Sequence, residues 1–145
     1  MLIETDIILA HIKESNWLKP YASVILEAAT RGAIKLYASR ELIHELYYVA
    51  SRLGMSLTTI LERIIALSKL NGIEWIPTTL EVDLTALTLM SEYGLTSIFD
   101  AYHAATALLY DPDKIIVSTD RVYDRVPGLT RMDPQELAKK LESRL

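Results

Sequence analysis

The chain has 145 residues, half of them hydrophobic, with a formal net charge of −4 and no cysteine. This length and composition predict a substantial core in a single domain over residues 1–145. The lack of cysteine excludes disulfides, thiolate zinc sites and thiol catalysis. The negative charge argues against a broad basic surface for duplex DNA.

The start of the chain and its apolar segments bear on targeting. Residues 1–6 contain acids where a signal peptide needs basic residues. No apolar run approaches the roughly 18 residues that a membrane span requires. We therefore expect a soluble, cytoplasmic protein that does not enter membranes.

The first half of the chain begins with a short strand within residues 2–9. Its apolar residues stop at Glu4-Thr5-Asp6, where a turn is expected, and alternation places Glu4 and Asp6 on the same side. Apolar spacing and glycine stops predict the elements that follow. These are a helix over 17–30, a strand over 34–38, and helices over 39–53 and 56–70.

The second half continues the alternation of strands and helices. Thr78 and Glu81 predict a capping box, and Ser97 and Asp133 are further helix caps. The predicted elements are a strand over 74–77, helices over 78–90 and 97–109, a buried strand over 114–118, a polar segment over 119–127, an edge strand over 129–132, and a last helix running to the end.

This alternation predicts an α/β fold. Strands separated by helices pair in parallel through right-handed crossovers, which gives a short, mostly parallel, twisted sheet in a three-layer α/β/α domain. In such sheets functional residues collect beyond the carboxyl ends of the strands.

The predicted helix over 97–109 is apolar nearly all the way round and carries four alanines, so we expect it to be buried on most sides. Asp100 is its only formal charge. One interpretation is that Ser97 and Asp100 form a helix cap. The other is that Asp100 points into a shared acidic site.

Further acids are placed where the same edge of the sheet would gather them. Glu4 and Asp6 follow the first strand, Glu45 lies in the helix after the second strand, and Asp120 follows the strand over 114–118. Each alone has an ordinary explanation, such as an exposed helix position or a turn.

Carboxylates held together in one pocket repel one another unless they take up protons or a cation neutralises them. Oxygen ligands without cysteine favour Mg²⁺ or Mn²⁺. Such an ion suits the hydrolysis of a phosphodiester bond.

Several segments carry a resemblance to the PIN domains, and among these to the VapC-like toxin ribonucleases. It covers nearly the whole chain. Residues 3–9 resemble the family's opening strand, Ser39 with residues 45–49 its second-acid helix, residues 100–108 its third-acid motif, residues 117–123 its fourth, and residues 132–134 its closing turn. In one departure, Glu4 stands at the usual first Asp, and Asp6 at the Asn or Ser.

The resemblance implies a metal-dependent endoribonuclease that is the toxin of a type II toxin–antitoxin pair. It implies Mg²⁺ or Mn²⁺, an RNA substrate, an antitoxin partner and a homodimer. By the same resemblance Asp6, Glu45, Asp100 and Asp120 are catalytic and bind the metal together with Glu4. Thr5, Ser118 and Asp124 support the site.

Other residues leave two interpretations open. Arg40, Arg121 and Arg125 either meet RNA phosphates or pair with nearby acids. His103 is either a general base or, as we favour, a hydrogen-bonded core histidine. Aromatic residues near the acids either stack on bases or pack in the core, and packing is favoured; these are Tyr47, Tyr48, Phe99 and Tyr102.

Two other functions remain alternatives. The Glu4 departure keeps open a catalytically silent domain of the same fold that binds RNA or a protein. A receiver-type signalling domain requires an Asp after a middle strand and a Lys after a late one. The third strand here ends in Pro77-Thr78-Thr79, and no Lys follows the strand over 114–118.

Overall fold

Strands and helices alternate along residues 1–13 and 15–144, the part of the chain that the computed structural model describes. The strands are β1 (Leu2–Ile3), β2 (Leu36–Ser39), β3 (Ile73–Ile76), β4 (Ile115–Val117) and β5 (Thr130–Met132). The helices are α1 (Thr5–Ile12), α2 (Lys19–Thr30), α3 (Glu41–Arg52), α4 (Leu57–Ser68), α5 (Leu80–Tyr93), α6 (Ile98–Tyr110) and α7 (Pro134–Glu142), with a 3₁₀ segment at Arg121–Arg125. The last helix is predicted to run to the end of the chain, but α7 ends at Glu142 with Ser143 as its C-cap. Leu145 lies outside the described residues.

The sheet is parallel throughout, in the order β3-β2-β1-β4-β5. Leu2 lies opposite Tyr37 of β2 on one side and Ile116 of β4 on the other. The chain moves outward from β1 to β3 and then returns to the other side of β1. The strand order therefore reverses between β1 and β4, and the carboxyl ends of these two strands flank the crevice where such folds place their sites.

Helices cover both faces of the sheet, which confirms the predicted three-layer α/β/α class. Successive side chains of a strand point to opposite faces of the sheet, so the core consists of two clusters, one on each face. Ile3 and Val117 pack in a cluster with α1, α2 and α7. Leu2 and Ile116 pack in a second cluster, with α5 and α6. The central strands β1 and β4 are thus buried on both faces, as expected for parallel strands.

The first strand lies where it is predicted and stops before the acids, but a helix begins where the turn is expected. β1 ends at Ile3, and α1 begins directly at Thr5 with Glu4 as its N-cap. Asp6 therefore lies in the first turn of a helix, and strand alternation does not govern its direction. Ile7, Ile8, Ala10 and Ile12 are all buried, so α1 lacks the polar face that makes a helix recognisable in a sequence.

The helix caps were mostly predicted correctly. The side chains of Ser56, Ser97 and Asp133 accept hydrogen bonds from backbone N–H groups of the first turns of α4, α6 and α7. The capping box at Thr78 was wrong by one residue, because Thr79 caps α5. Among the described residues, no helix combines the length and apolar character needed to cross a membrane.

Candidate active site

The carboxyl ends of β1 and β4 bring acids from distant parts of the chain together. Glu4 follows β1, Asp6 lies in the first turn of α1, and Asp120 follows β4. Glu45 and Asp100 come from α3 and α6, which pack against each other. The acids thus meet at the point where the strand order reverses, as the parallel fold predicts.

Glu4, Glu45 and His103 form the closest group. One ligand atom from each lies within 4.8 Å of the other two. The Nε2 atom of His103 is 2.9 Å from Oε1 of Glu45 and 4.0 Å from Oε1 of Glu4. The same Nε2 is 3.1 Å from the hydroxyl of Thr5. His103 is fully buried and hydrogen-bonded, as the favoured interpretation expects, and its Nε2 faces the acids.

Ser118 connects the first-strand acid to the fourth-acid segment. Its hydroxyl donates to Oε2 of Glu4 at 3.0 Å and accepts from the backbone N–H of Asp120, also at 3.0 Å. The carboxylate of Asp120 accepts from the N–H of Val122 and thereby caps the 3₁₀ segment. Asp120 is exposed, so one part of the site is open to solvent.

Only one of the two carboxylate oxygens of Asp6 has hydrogen-bond donors among the described residues. Its Oδ2 accepts from the N–H and the hydroxyl of Thr119, at 2.9 and 2.8 Å. Its Oδ1 is buried and has no hydrogen-bond partner among the described residues. A buried carboxylate oxygen without a donor is destabilising, so this atom is available to a cation.

Asp100 takes part in a cap and in the site together. Its backbone N–H donates to Ser97 Oγ at 3.4 Å, while its carboxylate Oδ1 accepts from the phenol of Tyr123 at 3.2 Å. Burial raises the pKa of Asp100, and the charges of Glu45 and Asp120 raise it further. The two interpretations of Asp100 are therefore compatible, since the cap uses its backbone and the site uses its carboxylate.

The pKa values show how strongly these carboxylates repel one another. Burial raises the pKa of Glu4 well above its usual value, and the charges of Asp6 and Glu45 add to the rise. Burial also raises the pKa of Asp6. Glu45 differs: burial alone would raise its pKa, but the hydrogen bond and charge of His103 lower it. Of these acids, Glu45 makes the shortest contact with His103, 2.9 Å from Oε1 to Nε2.

A divalent cation suits this set of donors. Glu4 and Glu45 supply carboxylate oxygens within ligand distance of each other and of His103. Asp6 offers Oδ1, which lacks a donor among the described residues, and Asp100 is close enough to Glu45 for that charge to raise its pKa. Among the described residues, no Lys or Arg side chain forms an ion pair with these four acids. Hard oxygen donors with uncompensated charge are the chemistry that Mg²⁺ and Mn²⁺ prefer.

The structure places four further predicted residues outside this group. Asp124 is paired with Arg131, whose Nε lies 3.0 Å from Oδ1. Arg40, Arg121 and Arg125 are exposed, and within the described residues none of them pairs with an acid. The supporting role of Asp124 and the RNA contacts of the three arginines remain predictions.

Three residues that contact the site were not singled out by sequence. Thr119 donates to Asp6 through its N–H and its hydroxyl. Tyr123 is fully buried and donates to Asp100. Arg131 donates to the carbonyl of Ser118 at 3.2 Å while it pairs with Asp124, which ties the fourth-acid segment to β5. Tyr123 at least lies within the fourth matched motif, three residues after Asp120. Arg131 carries no such signal.

The chain belongs to the PIN domain family, whose sequence profile matches residues 1–129. No curated protein matches it in sequence. Among solved structures, it is similar to the VapBC2 complex of Rickettsia felis bound to a DNA fragment from its promoter, at 17% identity and a TM-score of 0.67, with 90% of this chain and 96% of that one covered.

Two other solved structures share the fold. VapC20 of Mycobacterium tuberculosis, a toxin that cleaves the sarcin–ricin loop, matches at 13% identity and a TM-score of 0.69, covering 89% of this chain and 95% of that one. A toxin–antitoxin complex from Klebsiella pneumoniae matches at 21% identity and a TM-score of 0.64, covering 92% and 96%. The architecture is thus that of the VapC toxins over nearly the full length of each chain.

Proposed function

We propose that this protein is a metal-dependent endoribonuclease and the toxin of a toxin–antitoxin pair. The observation that carries the proposal is the group of Glu4, Glu45 and His103 beside Asp100, where uncompensated carboxylates meet at the switch point of a PIN fold. The similar structures, a sarcin–ricin loop cleaving toxin, a VapBC2 complex and a toxin–antitoxin complex, support the same function.

In this proposal five carboxylates hold Mg²⁺ or Mn²⁺: Glu4, Asp6, Glu45, Asp100 and Asp120. A bound divalent ion supplies an acidified water and stabilises charge on the leaving oxygen of a phosphodiester. Glu4 stands where the family has Asp and is fixed by the N–H of Thr5 at 3.0 Å and by Ser118. The longer side chain is therefore held in place, which favours an active enzyme over a silent domain.

The remaining residues of the site orient the acids. His103 fixes Glu45 and is itself hydrogen-bonded to Thr5. Thr119 fixes Asp6, and Tyr123 fixes one oxygen of Asp100. Each acid thereby keeps its direction before substrate arrives, which is what preorganised catalysis requires.

The proposal includes an RNA substrate, an antitoxin partner and a homodimer. The exposed side chains of Arg40, Arg121 and Arg125 are the proposed contacts to RNA phosphates. The chain carries 15 Lys and Arg against 19 Asp and Glu, so we place these contacts at a few local positions and not on a broad basic surface.

The test compares two substitutions of the same kind. Asp100→Asn removes a charge from the site, and Asp113→Asn removes one from an exposed residue before β4. We expect single-stranded RNA to be cleaved with Mg²⁺ or Mn²⁺, and Asp100→Asn to lower the rate more than about 100-fold, since loss of an outer partner alone costs 10- to 100-fold. Asp113→Asn should behave as the native chain.

Calorimetric titration with Mn²⁺ accompanies the cleavage assay. If the native chain neither binds the ion nor cleaves RNA, the proposal is wrong and a silent RNA- or protein-binding domain is the better description. Equal activity in the Asp100→Asn and native chains would also refute it.

A further inference from the structure

An aromatic groove lies beside the acidic site, formed by Tyr47, Tyr48 and Phe99. The ring centroids of Tyr47 and Tyr48 are 5.8 Å apart, and those of Tyr48 and Phe99 are 6.0 Å apart. Tyr47 is 44% exposed and Tyr48 is 54% exposed. Core packing, the favoured interpretation of these aromatic residues, is therefore wrong for the two tyrosines.

The aromatic groove is continuous with the candidate active site. Glu45 lines one depression together with Tyr48, Phe99 and Arg52. Tyr48 is three residues after Glu45 and so lies on the same face of α3, while Phe99 directly precedes Asp100. A ligand that reaches the acids at Glu45 consequently touches these rings next.

The groove is also large enough for a planar ligand. A neighbouring depression of about 560 Å³ is lined by Tyr47, Tyr48, Phe99 and Tyr102 among others. This volume falls within the range of small-molecule sites. Tyr102 is anchored there by a hydrogen bond from its phenol to Asp83 at 2.7 Å.

We propose that the aromatic groove binds an unpaired base of single-stranded RNA next to the phosphodiester at the acids. This inference rests on the proposed function and names the part of the RNA substrate that the aromatic groove contacts. A chain with a net charge of −4 attracts phosphates weakly, so base stacking has to supply affinity that cations supply elsewhere. Arg52, exposed at the rim, is placed to meet a neighbouring phosphate.

RNA is favoured over a protein partner because of where the groove leads. It opens onto Glu45, and a phosphodiester held by the acids places the adjoining nucleotide on the same surface. Aromatic rings accept any base, since every base has a π face. The groove thus adds affinity for unstacked RNA without selecting one sequence.

The test measures binding apart from cleavage. All variants carry Asp100→Asn, and the probe is a single-stranded oligoribonucleotide containing 2-aminopurine. Tyr48→Ala should weaken binding at least about fivefold, the lower limit for one base–aromatic stack, and abolish quenching of 2-aminopurine. Tyr48→Phe keeps the ring and should restore both. Leu61→Ala removes an exposed apolar side chain of α4 outside the groove and should match the parent.

Three results would overturn the inference. These are equal RNA affinity for Tyr48→Ala and its parent, equal loss in Tyr48→Phe, or a change of oligomeric state in Tyr48→Ala with RNA binding intact. The last result would make the groove a protein interface.

The inference and the proposed function fail separately. A native chain that cleaves RNA, with Tyr48→Ala binding normally, would refute only the base-binding role. A chain that shows Tyr48-dependent quenching but never cleaves would refute only the nuclease.

Discussion

Two buried acids at opposite edges of the sheet are treated very differently by the fold. Asp111, 2% exposed, lies at the amino edge just before β4, and Glu4, 7% exposed, lies at the carboxyl edge after β1. The carboxylate of Asp111 pairs with the amino group of Met1 at 3.1 Å and accepts from the N–H of Ile115 at 2.8 Å. Glu4 has hydrogen bonds, but its charged neighbours include three other carboxylates.

Asp111 is a buried acid that stabilises the fold, whereas Glu4 and its neighbouring carboxylates repel one another and are kept together by the rest of the fold. A buried charge with a cation and an N–H donor contributes to stability, whereas gathered carboxylates oppose folding. The gathered carboxylates lie at the switch point of the sheet. Such a local cost is expected where a fold serves a ligand.

The largest expected effect is the stabilisation of the gathered carboxylates by a divalent cation. With Mn²⁺ at 100 times its dissociation constant, the free energy of unfolding should rise by about 2.7 kcal/mol, because only the folded chain presents the site. Denaturant unfolding with and without Mn²⁺ measures this. Asp100→Asn should lose most of the gain and Asp113→Asn none of it. If Mn²⁺ leaves the unfolding midpoint of the native chain unchanged, the acids at the carboxyl edge do not bind the ion and the contrast with Asp111 does not hold.

At the amino edge the expected effect has the opposite sign. Asp111→Asn should lower the free energy of unfolding by about 1–3 kcal/mol, because the variant weakens hydrogen bonds to a charged group. Urea unfolding of this variant and of Asp113→Asn, two residues away and exposed, provides the comparison. If the two variants unfold alike, Asp111 does not hold this edge.

The metal-free chain should lose stability as the pH rises toward neutrality. The pKa values of Glu4, Asp6 and Asp100 are raised in the folded state. Their contribution to stability is therefore fully present below the unfolded values near pH 4 and is lost as the pH rises through the folded values. The lowered pKa of Glu45 acts in the other direction, since its contribution is lost as the pH falls.

Denaturant unfolding in a chelator at pH 5 and pH 7.5 checks the sign. The midpoint should be lower at pH 7.5, and Asp100→Asn should reduce the difference and raise the thermal midpoint at pH 7.5 by a few degrees. Greater stability at pH 7.5 than at pH 5 would show that the carboxylates do not strain the metal-free fold.

The smallest effect is expected from the phenol of Tyr123. Tyr123→Phe removes only the donor to Asp100 and should lower the free energy of unfolding by about 0.5–1.5 kcal/mol. It should also weaken Mn²⁺ binding, since one carboxylate loses its orientation. Tyr110→Phe, at a partly exposed tyrosine, is the matched control. Equal Mn²⁺ affinity in both variants would show that the phenol of Tyr123 does not orient a metal-binding carboxylate.

The sequence predicted the acids better than it predicted what surrounds them. Parallel strands end at one edge, so Glu4 and Asp120 could be placed together from strand order alone. The phenol of Tyr123 and the guanidinium of Arg131 reach the site through contacts that no local spacing encodes. Helix α1 was missed because burial on all sides removes the periodicity that identifies helices.

The sequence also did not predict which aromatic residues are exposed. Tyr47 and Tyr48 are adjacent on α3, and both were assigned to the core by type. Periodicity places a residue on a helix face but does not tell which faces a neighbouring element covers. Only the packing of α3 against α4 and α6 settles which side stays open.

The small residues of α6 have a consequence for genetics. Ala101, Ala104, Ala105 and Ala107 are completely buried, so any larger side chain there forces the helix away from its neighbours. Asp100 would move with it. Under the proposed function, cells that survive expression of the chain should therefore carry inactivating mutations at these alanines nearly as often as at the acids themselves.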